Sequence, residues 1–482
     1  MVEIGTHSSC PLVYQALVTR FQSISTRNLS TALKILTADK TMVAMSDYND
    51  YHKTVKRHIL TAMLGPNAQK KHRIQRDIMM ENLSNRLHAF VKTSTEQEEV
   101  DVREIFQSEL FGLAMRQTMG KDVESLYVED LKITMKRREI FQVLVLDPMM
   151  GAIDVDWRDF FPYLRWVPNT KFENPIREMH VRREAVMKAL IKEQKKRIAS
   201  GEKLNSYIDY MLSEAQTLTD HQLLMSVWEP IIESSDTTMV TTEWAIYELA
   251  KNPHIQVCAV LSTSDLTNFN KKMQFDSWLS RFFNNIGHFF MSLADNMSCN
   301  NIYSFDFCLI MYATQDRLYR DIQNVCGSDK ITEEHLSQLP YIAAIFHETL
   351  RRHSPVPIIP LRYVHEDTVL GGYHVPAGTE VAVNIYGCNM EKNVWENPEV
   401  WDPDRFMKEK EPIDFQRTMA FGGGKRVCAG SLQAMLISCV GIGRMVQEFK
   451  WELKDNTKED VNTIGLTTQM LRPLKAIIKP RK

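Results

Sequence analysis

Cys428 lies in the run Phe421-Gly422-Gly423-Gly424-Lys425-Arg426-Val427-Cys428-Ala429-Gly430, whose residue types suit the presentation of one thiolate to a metal. Gly422, Gly423 and Gly424 allow positive φ and close approach of the backbone to a flat ligand. Arg426 is a fixed-charge fork two residues before the sulfur, suited to a carboxylate on that ligand. Gly430 lets the next helix begin hard against the ligand. The apolar run from Ser431 to Val440 reads as that helix, with an N-terminus that favours a negative sulfur. A cysteine behind a glycine turn is more commonly buried and inert, and these residues by themselves leave that reading open beside the metal one. A phosphate-binding loop is excluded, because Gly424-Lys425 is followed by Arg426 rather than Ser or Thr.

Four other groupings carry potential chemistry. Glu348-Thr-Leu-Arg351 is an i,i+3 pair, about 60° apart on one helix face, and Pro403-Asp-Arg405-Phe406 follows it downstream. Such a pair is by itself commonly a solvated salt bridge. Nor does His347-Glu348 open a zinc motif, since the next histidine, His353, is six positions on and off that face. Glu233-Ser-Ser-Asp236-Thr237-Thr238 sits in the middle of a helical stretch, where a threonine can simply bond back to the preceding turn. His52-Lys-Thr-Val-Lys56-Arg57 reads equally as a solvated basic helix face. Arg362 follows Pro360-Leu361, just beyond the Glu348 helix.

The elements that position these residues are mostly helical. The chain has 482 residues, 44% hydrophobic and 24% charged with a net charge of −2, which allows a large core and offers no charge excess for nucleic acid. Its eight cysteines are scattered without CxxC pairs, which suits a reduced environment. No stretch approaches the ~18–20 apolar residues of a membrane span, and the first residues lack the pattern of a signal peptide. Helical periodicity runs from about Leu17 to Ala250, clearest over Met79–Val91, Val181–Ala199 and Thr219–Ala250, and returns over Asp316–Arg352. Trp157 to Pro168 is a connector. Prolines then cluster around short β-type runs, of which 370–383 reads as a hairpin. The fold class is mainly α with small β-sheets, in one catalytic domain spanning 1–482.

Two segments stand apart. Residues 1–16 form an atypical leader. Residues 257–315 hold eight of the 21 phenylalanines with no sustained period, and are read as an atypical insertion, a retained intron. Valine codons begin with GT and Gln315 is encodable as CAG, so the borders suit in-frame splice signals. Removing the segment joins two amphipathic stretches into one.

The pattern Phe-x-x-Gly-x-Arg-x-Cys-x-Gly resembles the haem-binding loop of the cytochromes P-450. That resemblance covers most of the chain outside 257–315 and implies a haem-thiolate fold, with haem b ligated through its iron by Cys428. It implies that Phe421, Gly424, Arg426 and Gly430 shape the loop, and that His52, Lys56 and Arg362 meet the haem propionates. Here His52 and Lys56 stand where the family more often has Trp and Arg. Glu348, Arg351 and Arg405 become a structural charged triad behind the haem. Asp236 and Thr237 become the acid–threonine pair that delivers protons to dioxygen from a locally opened helix. Glu233 and Ser234 replace the family's usual small pair before them.

Longer stretches, among them Met45 to Lys53, Gly151 to Trp166, Asp236 to Lys251 and Met419 to Met435, are similar to the plant ent-kaurene oxidase group. That likeness implies stepwise oxidation of an apolar diterpene to ent-kaurenoic acid, on the route to gibberellins. It also implies electrons from NADPH through a partner cytochrome P-450 reductase, for which Lys425 and Arg426 offer a docking face. The expected localisation is the endoplasmic reticulum membrane or plastid outer envelope, with the group's membrane anchor missing from the front of the chain. Two alternatives stay open: action on another labdane-related diterpene, or a truncated, mis-spliced product without activity.

Overall fold

The computed structural model describes residues 2–4, 9–251, 257–259, 309–311 and 314–481, apart from 96, 203, 204, 409–414, 455–458, 463 and 464. By internal contacts the chain divides into two compact units, residues 1–251 with 318–482, and residues 252–317. In the second unit, Val257–Ala259 pairs antiparallel with Leu309–Met311. The phenylalanine-rich remainder of the 257–315 segment lies outside the described residues.

Seven helices of the first unit position the site, and an eighth, α6, belongs to it from Leu318 onward: α1 (Asp50–Ile59), α2 (Arg73–Thr93), α3 (Val102–Met119), α4 (Thr170–Ala199), α5 (Asp220–Lys251), α6 (Thr314–Cys326), α7 (Pro340–Arg352) and α8 (Ser431–Glu448). Their starts follow local chemistry. Asn49 and Asp101 accept the first free N–H groups of α1 and α3, and Gly120 ends α3 in the left-handed region. At the head of α5, Thr219 Oγ1 accepts from Gln222 N while Gln222 Oε1 accepts from Thr219 N, a reciprocal cap. Helix α4 starts eleven residues before the periodic stretch at Val181 and carries Pro175 near its N-terminal end. As the sixth residue of the helix, Pro175 removes one intrahelical bond, the one to Lys171 O.

Helix α5 is the spine. Its 32 residues, about 48 Å at 1.5 Å per residue, are buried almost throughout between Leu223 and Leu249. One large core joins its second half (Met239, Val240, Trp244) to Phe106 and Leu110 of α3, Ile345 and Phe346 of α7 and Ile437 and Val440 of α8. Its first half (Leu224, Trp228, Ile231) packs in a second cluster with Met115 of α3 and Val186 of α4.

The sheets are small. A four-stranded sheet runs in the order β1 (Val2–Ile4), β4 (Glu380–Asn384), β3 (Ile358–Tyr363), β2 (Thr26–Arg27). The 370–383 run is divided between two sheets. Thr368–Leu370 and Tyr373–Val375 close a hairpin over Gly371 and Gly372, both at positive φ, while β4 pairs with β3 instead. Leader residues Val13 and Ala16 are fully buried against Val381 and Val383.

Candidate functional site

The cysteine loop is built by short-range bonds. Cys428 N donates to Phe421 O (3.0 Å) and Val427 N to Gly424 O (3.1 Å), closing a turn whose sulfur accepts the backbone N–H groups of Gly430 and Ser431 at the head of α8. Gly422 and Gly424 have φ of +69° and +65°. Gly423 differs from the sequence expectation: its φ is −155°, extended backbone open to any residue. A Cβ on Gly424 would lie 2.5 Å from Leu17 O, so this glycine serves close packing against the chain as well as φ. At Gly430 the nearest atom to a Cβ would be Cys428 Sγ at 3.9 Å, an ordinary contact. The Phe421 ring packs with Phe346 and Phe415, at centroid distances of 6.3 and 5.4 Å.

Cys428 and Glu233 of α5 each present surface, yet burial dominates the protonation of both. This combination marks side chains that face an enclosed space rather than bulk water. Burial, with Glu233 adding to it, pushes the Cys428 thiol up to about 11, against the N–H groups and Lys56. A metal would reverse that balance by holding the thiolate directly.

Around this space the chain gathers cations. Arg362 (β3) lies opposite Arg27 (β2) in the sheet register, and both are buried. Burial, then their mutual repulsion and that of Arg426, holds Arg27 well below its ordinary value; Arg362 is pushed down to about 10 by burial and Arg426. His52 is pushed down to about 4, by burial first and then by Arg426 and Lys56. Its Nδ1 lies 3.0 Å from Ser46 Oγ and 3.1 Å from Val43 O. Three buried nitrogens in the group, His52 Nε2, Arg362 Nε and Arg426 Nε, have no protein partner. Arg426 gives one N–H to Ser46 O (2.5 Å). Lys56 is not a solvated face: its Nζ donates to Lys425 O and Val427 O, both at 2.9 Å, and so ties α1 to the cysteine loop. The unspent Nε–H groups of Arg362 and Arg426 beside a lone thiol fit a flat, doubly carboxylated metal ligand such as haem, since burying several cations is costly without anions.

Helix α5 supplies the acidic side. It runs unbroken through residues 233–238, without the expected local opening. Thr237 Oγ1 lies 3.5 Å from Glu233 O, and the hydroxyls of Ser235, Thr241 and Thr242 bond back to the preceding turn. Asp236 is buried, its carboxyl raised by burial and steadied by Thr467 Oγ1 at 2.5 Å. One turn before Glu233, Glu229 accepts from Val43 N and Ala44 N at 2.8 and 2.7 Å.

Glu348, Arg351 and Arg405 meet. The Arg351 fork makes two 2.8 Å bonds to Glu348, whose carboxylate also takes Arg405 Nε and Asp402 N. Arg351 further donates to Asn389 O and Pro398 O at 2.9 Å. Losing one partner from such a buried set costs roughly 3–5 kcal/mol.

Sequence reasoning missed Arg27, Glu229 and Thr467. Arg27 belongs to a two-residue strand, and Thr467 to a loop 231 positions from its partner. Only Glu229 carried a usable signal, its i,i+4 spacing from Glu233. A separate polar depression of about 490 Å³, lined by Asp39, Lys40, Thr41, Ser46, Asp47 and Tyr51 among others, includes neither Cys428 nor Glu233. Its lining is mainly polar.

The profile of the family described as Cytochrome P450 matches residues 4–258 and 286–479. The chain belongs to the cytochrome P450 family. It is 54% identical over 469 residues to "Ent-kaurene oxidase" of Salvia miltiorrhiza, covering 97% of this chain and 79% of that one. It is 47% identical to "Ent-kaurene oxidase 2" of Oryza sativa subsp. japonica (97% and 81% covered). To the rice "Ent-sandaracopimaradiene 3-hydroxylase" it is 41% identical (98% and 82%). Among solved structures, a zebra fish cytochrome P450 with abiraterone superposes with TM-score 0.70 at 18% identity, covering 98% of this chain and 92% of that one. This last likeness carries the fold alone. As a cytochrome P450, the chain is a haem-thiolate monooxygenase that works with a redox partner on hydrophobic substrates.

Proposed function

We propose that this cytochrome P450 oxidises ent-kaurene stepwise, through alcohol and aldehyde, to ent-kaurenoic acid, with Cys428 as the axial thiolate of haem b. The observation that carries the haem site is the Cys428 thiol facing an enclosed space beside buried, unspent arginine and histidine nitrogens. The 54% identity to an ent-kaurene oxidase supports the substrate. Haem, when bound, supplies the dioxygen chemistry, with one oxygen atom entering substrate and the other leaving as water.

The chain's own residues do the rest. Arg27, Arg362, Arg426 and His52 hold the propionates, and Lys56 holds the loop that carries the thiolate. Phe421, Gly424 and Gly430 fix the loop's shape. Asp236, Thr237 and Glu233 hold and pass protons from α5 into the cavity; burial favours the protonated form of both acids. Affinity for a hydrocarbon comes from apolar burial at ~25 cal/mol per Å², and position from shape. Electrons come from NADPH through a separate cytochrome P-450 reductase.

No helix among the described residues is long and apolar enough to cross a membrane. Attachment to the endoplasmic reticulum or plastid outer envelope is supported by an exposed apolar run, Trp157, Phe160, Phe161, Tyr163 and Trp166. The identity to a 3-hydroxylase of another diterpene favours a second reading, the same chemistry on a related skeleton. The test supplies reductase, NADPH and ent-kaurene to the haem-loaded protein and to Cys428→Ser. The expected result is ent-kaurenoic acid and a thiolate-type reduced-CO band from the former, and neither from the latter. A Cys428→Ser protein that keeps the band would overturn the ligand, and turnover of ent-sandaracopimaradiene alone would overturn the substrate.

A further inference from the structure

Asp236 is engaged by a residue far away in sequence. Thr467 stands on a loop whose arms are joined by Asn462 N to Gln469 O (2.9 Å), Leu471 N to Asp460 O (2.8 Å) and a bridge between Val461 and Met470. This loop is already fixed without the Thr467 hydroxyl. Trp244 Nε1 donates to Thr468 O (2.9 Å), and Thr468 bonds to Ser354 O and Pro355 O through its hydroxyl and N–H (2.5 and 3.0 Å). Below it, Arg103 bridges Glu243 and Met470 O (2.8 and 2.7 Å), and Glu243 accepts Leu474 N (2.9 Å). Asp236 and Glu243 are seven residues apart, two turns along the same face of α5. With so many other ties, the one bond from Thr467 Oγ1 has a different recipient to fix: the Asp236 carboxyl, both side chains being buried.

We infer that Thr467 is a positioning residue, holding the Asp236 carboxyl in one rotamer so that its proton is presented along a single direction from α5. A carboxyl in a buried site has few alternative partners, and the hydroxyl removes the torsional freedom of χ1 and χ2. This inference rests on the reading of Asp236 as a proton-handling group. It adds a residue from outside the acid–threonine pair, on an element that also packs beside the end of α7.

The experiment uses haem-loaded Thr467→Val, Thr467→Ser, Asp236→Asn and the double variant with reductase. Product formed per NADPH consumed should fall about tenfold in Thr467→Val, the scale of one lost bond to a carboxyl, and return in Thr467→Ser. The double variant should be no worse than Asp236→Asn. Amide hydrogen exchange over 465–471 should stay unchanged in Thr467→Val, because the backbone ties remain. The Asp236 carboxyl stretch, isolated by infrared difference against Asp236→Asn, should shift in Thr467→Val and be regained in Thr467→Ser. An impaired Asp236→Asn beside an unimpaired Thr467→Val with an unmoved band would overturn the role of Thr467 alone. Wild-type coupling in Asp236→Asn would overturn the underlying reading of Asp236. Faster exchange across 465–471 in Thr467→Val would reassign the hydroxyl to holding the loop.

Discussion

Gly423 and Gly424 are neighbours of the same type in the same loop, yet physics asks different things of them. Gly424 has φ of +65° and faces Leu17 O, where an added methyl would sit at 2.5 Å. Gly423 is extended, and its nearest neighbours to a Cβ are side-chain atoms at 3.5 Å and beyond. Gly424→Ala should therefore lower unfolding free energy by at least ~2 kcal/mol, from φ strain plus a backbone clash, and weaken haem retention. Gly423→Ala should change either by little. Chemical denaturation and the reduced-CO spectrum of the two variants check this, and equal effects would refute it. At this scale the sequence is readable where chemistry is local. The loop around Cys428 and the Glu348–Arg351 pair announce themselves by spacing. Arg27 and Thr467 do not, because each becomes meaningful only through a partner hundreds of residues away, Arg362 or Asp236.

At the scale of elements, α5 combines two tasks that pull in opposite directions. A helix spanning the core should be apolar, yet Glu229, Glu233, Asp236 and Glu243 stand on it. Its existence was legible from the three- and four-residue period. So was its unbroken course past Asp236, because the period runs through that stretch; the local opening was implied by the family resemblance alone, and the helix does not show it. The acids make its stability depend on pH. Burial pushes Glu229 up to about 7 from an ordinary 4.5. The folded state thus keeps a proton that the unfolded chain has released, so the stabilisation is complete below about 4.5 and lost as pH rises through 7. Glu229→Gln removes this titration at the expense of one backbone acceptor, a constant offset. Its stability relative to the parent should improve between pH 5 and pH 8 by on the order of 1–3 kcal/mol. Urea midpoints at the two pH values decide it, and a pH-independent difference would sink the idea.

For the molecule as a whole, residues 259–285 are the part the family profile leaves unmatched, inside the segment 257–315. Residues 252–317 form a compact unit of their own. We propose that the segment is dispensable for the haem fold, as expected of a retained intron. A chain lacking 257–315 loses the first two residues of α6, Thr314 and Gln315, and joins Gln256 directly to Asp316. It should keep the reduced-CO band and the thermal midpoint of the full chain; loss of both would show the segment to be integral. The contact between Leu17 and Gly424 has one more consequence, which concerns time rather than space. The ribosome makes these two residues about 400 positions apart, roughly 20–80 s at ordinary synthesis rates. Until the second has emerged, the wall behind the thiolate is missing, and neighbouring Val13 and Ala16 wait without β4 to cover them. Cofactor capture by this chain is thereby scheduled near the end of synthesis.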